Sequence, residues 1–222
     1  DIVYINTVLP FGAAIIAKIK GCRVIYHIHE TSMKPKLLKY FLFKTASFCA
    51  DEVIYVSNFI AQKEPLKVKK SVLYNVLEKS FTEKANRSNN LVKTEKIVLM
   101  ICSLNKYKGV DDFVALAIMN PEYTFKLVVN APQKAIDNYF KNIKISNNLV
   151  IYPTQKNTHP FYEEASVLLN LSNADLWLET FGLTILEGMA YGLPAIVPPL
   201  GGVVELVEEG KKQGITAFEL HA

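Results

Sequence analysis

Short apolar runs recur along the chain, separated by longer stretches in which apolar residues return every three or four positions. The runs are DIVYIN (1–6), RVIYHIH (23–29), DEVIYVS (51–57), SVLYN (71–75), IVLMICS (97–103), TFKLVVN (124–130), LVIYP (149–153), SVLLNLS (166–172) and PAIVPP (194–199). They are rich in β-branched residues and nearly unbroken in apolar character, the pattern of parallel strands covered on both faces. Strands alternating with helix-length segments predict an α/β, doubly wound architecture. One stretch breaks the rhythm. EKSFTEKANRSNNLVKTEK (78–96) is polar and charge-rich, and reads as a linker between two such domains, 1–93 (with the linker) and 94–222. DIVYIN opens directly as a strand with no cap or loop before it, so a segment ahead of Asp1 is expected to complete the first domain.

Composition narrows the class. Half of the 222 residues are apolar and 21% are charged, an ordinary globular balance. The three cysteines, Cys22, Cys49 and Cys102, stand singly inside apolar runs, which argues against a disulfide framework or a zinc site and for a reduced, cytoplasmic compartment. The longest apolar runs fall well short of the roughly 20 residues that span a bilayer. The charge is uneven: residues 1–93 carry 15 Lys+Arg against 7 Asp+Glu, a net +8, and residues 94–222 carry 10 against 14, a net −4. A basic half suggests an anionic ligand or surface. Within it, KPKLLKYFLFK (34–44) sets lysines beside Leu37, Leu38, Phe41 and Phe43, which suits either a surface helix packed on the sheet or a weak contact with anionic lipid headgroups. No aromatic-plus-basic motif or helix-turn-helix signature points to nucleic acid.

Two common α/β chemistries have no support, since neither GxxxxGK[ST] nor a strand-following GxGxxG occurs. What stands out is SNADLWLETFGLTILEGMAYGLPAIVPPLGGVVE (172–205). Phe181-Gly182 opens a helix with LTILEGMAY as its body, stopped by Gly192-Leu193-Pro194. A helix starting at the carboxyl end of a parallel strand offers open amides and a positive dipole end to an anion such as phosphate. Glu179 lies just ahead of that terminus and Glu187 within the helix. A buried carboxylate needs a partner, and vicinal hydroxyls of a sugar or ribose would provide one.

This region, with Glu-x7-Glu in ETFGLTILEGMAYGLP followed by Gly201-Gly202 and Glu205, resembles the signature of the family 4 retaining glycosyltransferases of the GT-B fold. CSLNKYKG (102–109) is similar to that family's phosphate-binding Arg/Lys segment, and HIHE (27–30) to its His-acid step after a strand. The resemblance implies two Rossmann-like doubly wound parallel-sheet domains, the N-terminal one incomplete, with a nucleotide-sugar donor held by the C-terminal one. It implies that Glu179 binds donor-sugar hydroxyls, that Thr180, Phe181, Gly182 and Leu183 line the sugar and phosphate with backbone amides, and that Glu187 accepts from the ribose. Lys108 would contact the diphosphate without a metal ion, and His29 would reach the donor sugar. Ser103 stands where many members carry an arginine, a lost cationic contact for which Lys106 is a candidate substitute. The family's glycine-rich loop after its first strand has no counterpart.

Taken singly, the same residues read otherwise. A lone helical glutamate is usually solvated, and a histidine at a strand end is often only structural. His27 and His29 share one face of their strand, and His29 is preferred because active groups gather at carboxyl ends. His159-Pro160 reads as a helix start, Gly201-Gly202 as a tight entry to the helix VVELVEEG, and YPTQ (152–155) as a loop.

The expected activity is a cytoplasmic, metal-independent, retaining hexosyl transfer from a UDP- or GDP-sugar to a glycan or lipid-linked acceptor in cell-surface polysaccharide synthesis, without a covalent nucleophile or cofactor. A sugar-nucleotide epimerase of related fold and a non-catalytic donor-binding subunit are the alternatives.

Overall fold

The computed structural model describes residues 1–88 and 95–207. The described residues form two compact units, one of residues 1–76 with 178–181 and the other of residues 77–88, 95–177 and 182–207.

In the first unit four strands alternate with helices: β1 (Ile2–Asn6), α1 (Phe11–Ile19), β2 (Arg23–Ile28), α2 (Lys36–Cys49), β3 (Glu52–Tyr55), α3 (Asn58–Lys63) and β4 (Lys69–Val72). All pairings are parallel and the sheet order follows the chain, β1-β2-β3-β4. The inner strands β2 and β3 carry the buried residues Val24, Tyr26, Ile28, Val53 and Tyr55, and the helices bury Leu42 and Ala46 of α2 and Ile60 of α3. Ser57 caps α3 by accepting from Ile60 N–H (3.3 Å). The strand expected at 71–75 forms two residues earlier. It lies at the sheet edge, where one neighbour sets the register, and that ladder runs from Glu52–Lys69 to a last bond from Leu73 N–H to Tyr55 O (2.9 Å).

The second unit holds α4 (Lys79–Ser88), β5 (Ile97–Cys102), α5 (Val110–Met119), β6 (Thr124–Val129), α6 (Gln133–Phe140), β7 (Leu149–Tyr152), α7 (His159–Glu164), β8 (Val167–Leu169), α8 (Leu183–Ala190) and β9 (Ala195–Ile196). The sheet is parallel, ordered β7-β6-β5-β8-β9. Its strands read as continuous apolar runs because each face has its own core. Val98, Met100, Leu127 and Val129 pack with Phe113, Ile136 and Phe140 of α5 and α6. The alternate residues Ile97, Leu99 and Val128 pack with Tyr162, Ile185 and Tyr191 on the other face.

The stretch read as a linker therefore contains a helix. α4 has only two apolar positions that pack, Phe81 and Ala85, four residues apart and so on one face. Its other residues are polar or charged and lie exposed or half-buried, which is why the segment reads as linker-like. Among the described residues, no helix is long and apolar enough to cross a membrane.

Candidate functional site

In the second unit the chain leaves β5 toward β6 and β7 on one side, then returns to β8 and β9 on the other. The switch point falls between β5 and β8, where loops leaving the carboxyl ends diverge and open α/β sheets bind their ligands. The two loops here are 103–109 and 170–182.

The first loop makes one 3₁₀ turn, Lys106–Lys108, and ends at Gly109 in the left-handed region (φ 74°). A Cβ on Gly109 would stand 2.3 Å from Leu171 O, so the residue must be glycine for the two loops to touch. Asn173 N–H donates to Tyr107 O (2.8 Å), and the Tyr107 ring stacks on Trp177 (centroids 5.1 Å apart, 21° between planes). Lys108 Nζ lies 5.4 Å above the Trp177 ring, a cation–π contact that directs the ammonium toward the second loop. Ser103 Oγ accepts from Asn105 Nδ2 (3.0 Å), and Lys106 is exposed.

The second loop ends at Gly182, with φ 93° and an ideal Cβ position 2.7 Å from Val203 Cγ2, again a place only glycine fills. Gly182 caps α8, and the amides of Leu183 and Thr184 precede the first bond of the helix, Ile185 N–H to Gly182 O (3.0 Å). This is the anion-favouring end of the helix dipole. Glu187, on α8, is half-buried and accepts from the Tyr162 hydroxyl at 2.6 Å. Burial pushes its carboxyl above the usual range, and the Tyr162 bond opposes that rise.

In the first unit the carboxyl ends of β1 and β2 bring together Asn6, Thr7, His27, His29 and Glu30. His29 is half-buried, with Nε2 2.6 Å from Asn6 Oδ1. His27 is buried, its Nδ1 engaged by the Tyr4 hydroxyl (2.6 Å), and the two imidazole centroids lie 4.2 Å apart, as period-2 alternation predicts. Both pKa values are lowered: burial is the main cause, His29 lowers His27 further, and the Glu30 carboxylate opposes in each case. Thr7 holds a left-handed backbone (φ 105°) while its hydroxyl donates to Glu30. Residues 178–181 group with this unit: Ser57 Oγ donates to Thr180 O (2.8 Å), Phe181 is buried beside Tyr74 (6.0 Å), and Glu179 is half-buried.

Comparison with known sequences places the chain in a family. The profile of the glycosyl transferases group 1 family matches residues 81–219, more than half of the sequence. The chain belongs to that family. This glycosyl transferases group 1 member is 32% identical over 122 residues to N-acetyl-alpha-D-glucosaminyl L-malate synthase of Bacillus anthracis, covering 53% of the chain and 31% of that protein. An uncharacterized glycosyltransferase of Methanocaldococcus jannaschii is 27% identical over 220 residues, 95% of the chain and 59% of that relative. Among solved structures, HepE of Anabaena in complex with UDP-glucose superposes with a TM-score of 0.74 at 22% identity, over 98% of the chain and 65% of HepE. The chain thus spans less than two thirds of each of these relatives. The fold is GT-B, built from Rossmann-like parallel-sheet domains.

Of the residues singled out from sequence, Ser103, Lys108, Gly182, Leu183 and Glu187 stand in the second unit, on its switch-point loops and the helix that follows. His29, Glu179, Thr180 and Phe181 stand in the first. His159 heads α7, as expected, and its Nδ1 meets the Tyr191 hydroxyl. Gly201 (φ 111°) leads into a 3₁₀ segment, 202–206, in place of the α-helix expected for VVELVEEG; residues from 208 onward lie outside the described residues. Sequence reasoning passed over Tyr162, Tyr107, Trp177 and Asn6. Only Trp177, the single tryptophan and two residues ahead of Glu179, carried a signal that could have been used.

Proposed function

We propose that the chain is part of a retaining, metal-independent glycosyltransferase that moves a hexosyl unit from a UDP- or GDP-sugar to a hydroxyl of a glycan or lipid-linked acceptor, on the cytoplasmic side of a membrane, in the building of cell-surface polysaccharide. The observation that carries this reading is the switch point of the second unit. There Lys108, the open amides after Gly182 and the Glu187 carboxylate stand on the two loops and the helix at the carboxyl ends of β5 and β8. Lysine and helix dipole both favour the negative charge that grows on a departing nucleotide diphosphate, which makes a metal ion unnecessary for that purpose. Glu187 accepts from the ribose hydroxyls and Glu179 from those of the donor sugar. Transfer with retention then follows from departure of the diphosphate and attack on the same face, with the protein orienting both reactants. His29 is kept neutral by burial, so it offers the sugar a neutral hydrogen-bonding group. The UDP-glucose held by HepE supports a uridine donor as the first to try.

The membrane part of the reading is supported by α2. Leu37, Tyr40 and Phe48 form an exposed row along one face, 80%, 62% and 80% accessible, and the helix bears lysines and no acidic residue.

Thermal-shift titration with UDP-, GDP- and ADP-sugars tests the donor, since a bound ligand raises the melting point by mass action. One nucleotide class should stabilise the protein, and product analysis with an acceptor should then give a glycoside and free nucleoside diphosphate. Absence of any shift would sink the reading. An isomerised sugar nucleotide formed without acceptor would replace transferase by epimerase.

A further inference from the structure

Behind Glu187 stands a hydroxyl that packing alone does not call for. Tyr162 of α7 is fully buried (0% accessible), and its hydroxyl donates to Glu187 Oε2 at 2.6 Å. Thr184 O lies farther off, at 3.5 Å, beyond a good bond. The ring is held flat against Tyr191 (5.7 Å, 17° between planes), and Tyr191 is itself tied to His159, on which Phe81 stacks (4.4 Å). So clamped, the hydroxyl is presented at a fixed point.

We propose that Tyr162 is a positioning residue for donor binding: its hydroxyl occupies one lone pair of the Glu187 carboxylate and turns the remaining ones toward the nucleotide. This rests on the reading of Glu187 as the acceptor for ribose hydroxyls. A carboxylate has about four acceptor directions, so one given to Tyr162 leaves enough for a vicinal diol while removing the freedom to rotate. The same bond favours the ionised acid that binding requires, against burial, which favours the neutral one. Other titratable groups on the elements around α8 act elsewhere: Lys84 of α4 and Glu163 of α7 act on His159, and Glu163 also on Tyr191. Glu205, in the 3₁₀ segment against α8, is exposed and does not enter the shift of Glu187.

The test is the pH dependence of affinity for UDP or GDP, whichever binds the wild-type chain, measured by calorimetry between pH 5 and 8.5. Affinity should fall with decreasing pH as Glu187 takes up a proton. Tyr162→Phe keeps the ring and its stacking; it should weaken binding about five- to twentyfold at pH 8 and move the acid midpoint upward, because the carboxyl loses the bond that held it down. Replacing Tyr162 by 3-fluorotyrosine, a stronger donor of nearly the same shape, should move the midpoint downward and serves equally if the phenylalanine variant does not fold. Glu187→Gln should remove the part of the pH dependence that changes at Tyr162 move, leaving only that of the diphosphate itself, and adding Tyr162→Phe to it should cost little more. A midpoint unmoved by either change at Tyr162, with Glu187→Gln still weakening binding, would overturn the positioning role and leave the donor reading standing. Wild-type affinity in Glu187→Gln would overturn both.

Discussion

Gly109 shows how much one residue decides. Its left-handed backbone and the 2.3 Å separation from Leu171 O leave no room for a methyl group. Gly109→Ala should therefore lower unfolding stability by about 3 kcal/mol, combining backbone strain with overpacking, and denaturant titration reads this directly. The two glutamates divide differently. Glu187→Ala removes hydrogen bonds to a charged group and should raise the nucleotide Kd about tenfold or more. Glu179→Ala should instead reduce kcat by about 10²- to 10³-fold, the scale of losing one stabiliser of the reacting sugar. Equal affinity and turnover in the two variants would contradict these roles. Both glutamates stand out in the sequence because carboxylates are costly in apolar surroundings, and both are half-buried in the structure. Tyr162 was not, since a tyrosine in HPFYEEA looks like any other core aromatic until its hydroxyl is seen 2.6 Å from Glu187.

At the level of elements, all nine expected runs form strands, each within two residues of its expected start. Parallel strands covered on both faces have no solvent side to blur the pattern, so their apolar runs are long and bounded. The cap at Gly182 was equally readable, as a Phe-Gly step ahead of a helical period. α4 was hidden because Phe81 and Ala85 alone face inward, too few to register against Lys79, Glu83, Lys84 and Arg87. α2 carries a prediction of its own. Replacing Leu37, Tyr40 and Phe48 by serine touches only exposed positions, so the melting temperature should change little, whereas flotation with vesicles containing anionic lipid should fall severalfold. Unchanged flotation would remove the membrane from the proposed function.

For the molecule as a whole, the titrating groups set a direction. His27, His29 and His159 all have lowered pKa values in the folded protein, chiefly through burial. Their contribution is complete above the unfolded value near 6.5 and is lost as pH falls through the lower folded values. Glu187, raised by burial, runs the opposite way: its contribution is complete below about 4.5 and is lost as pH rises through its folded value. The three histidine contributions are lost together as pH falls below about 6.5, so the melting temperature should fall between pH 7.5 and 5.5, and His27→Gln should flatten that slope. A melting temperature constant over this range would contradict the burial described. By itself the sequence determined the nine strands, the doubly wound class and the family signature, because each is written in neighbouring residues through periodicity, turn chemistry or local spacing. Tertiary structure alone decided which loops meet at the switch point, that Gly109 must abut Leu171, that Lys108 rests over Trp177 and that Tyr162 holds Glu187. Those contacts join residues 25 to 69 positions apart, and strand order, which brings them together, leaves no mark on the local pattern of a chain.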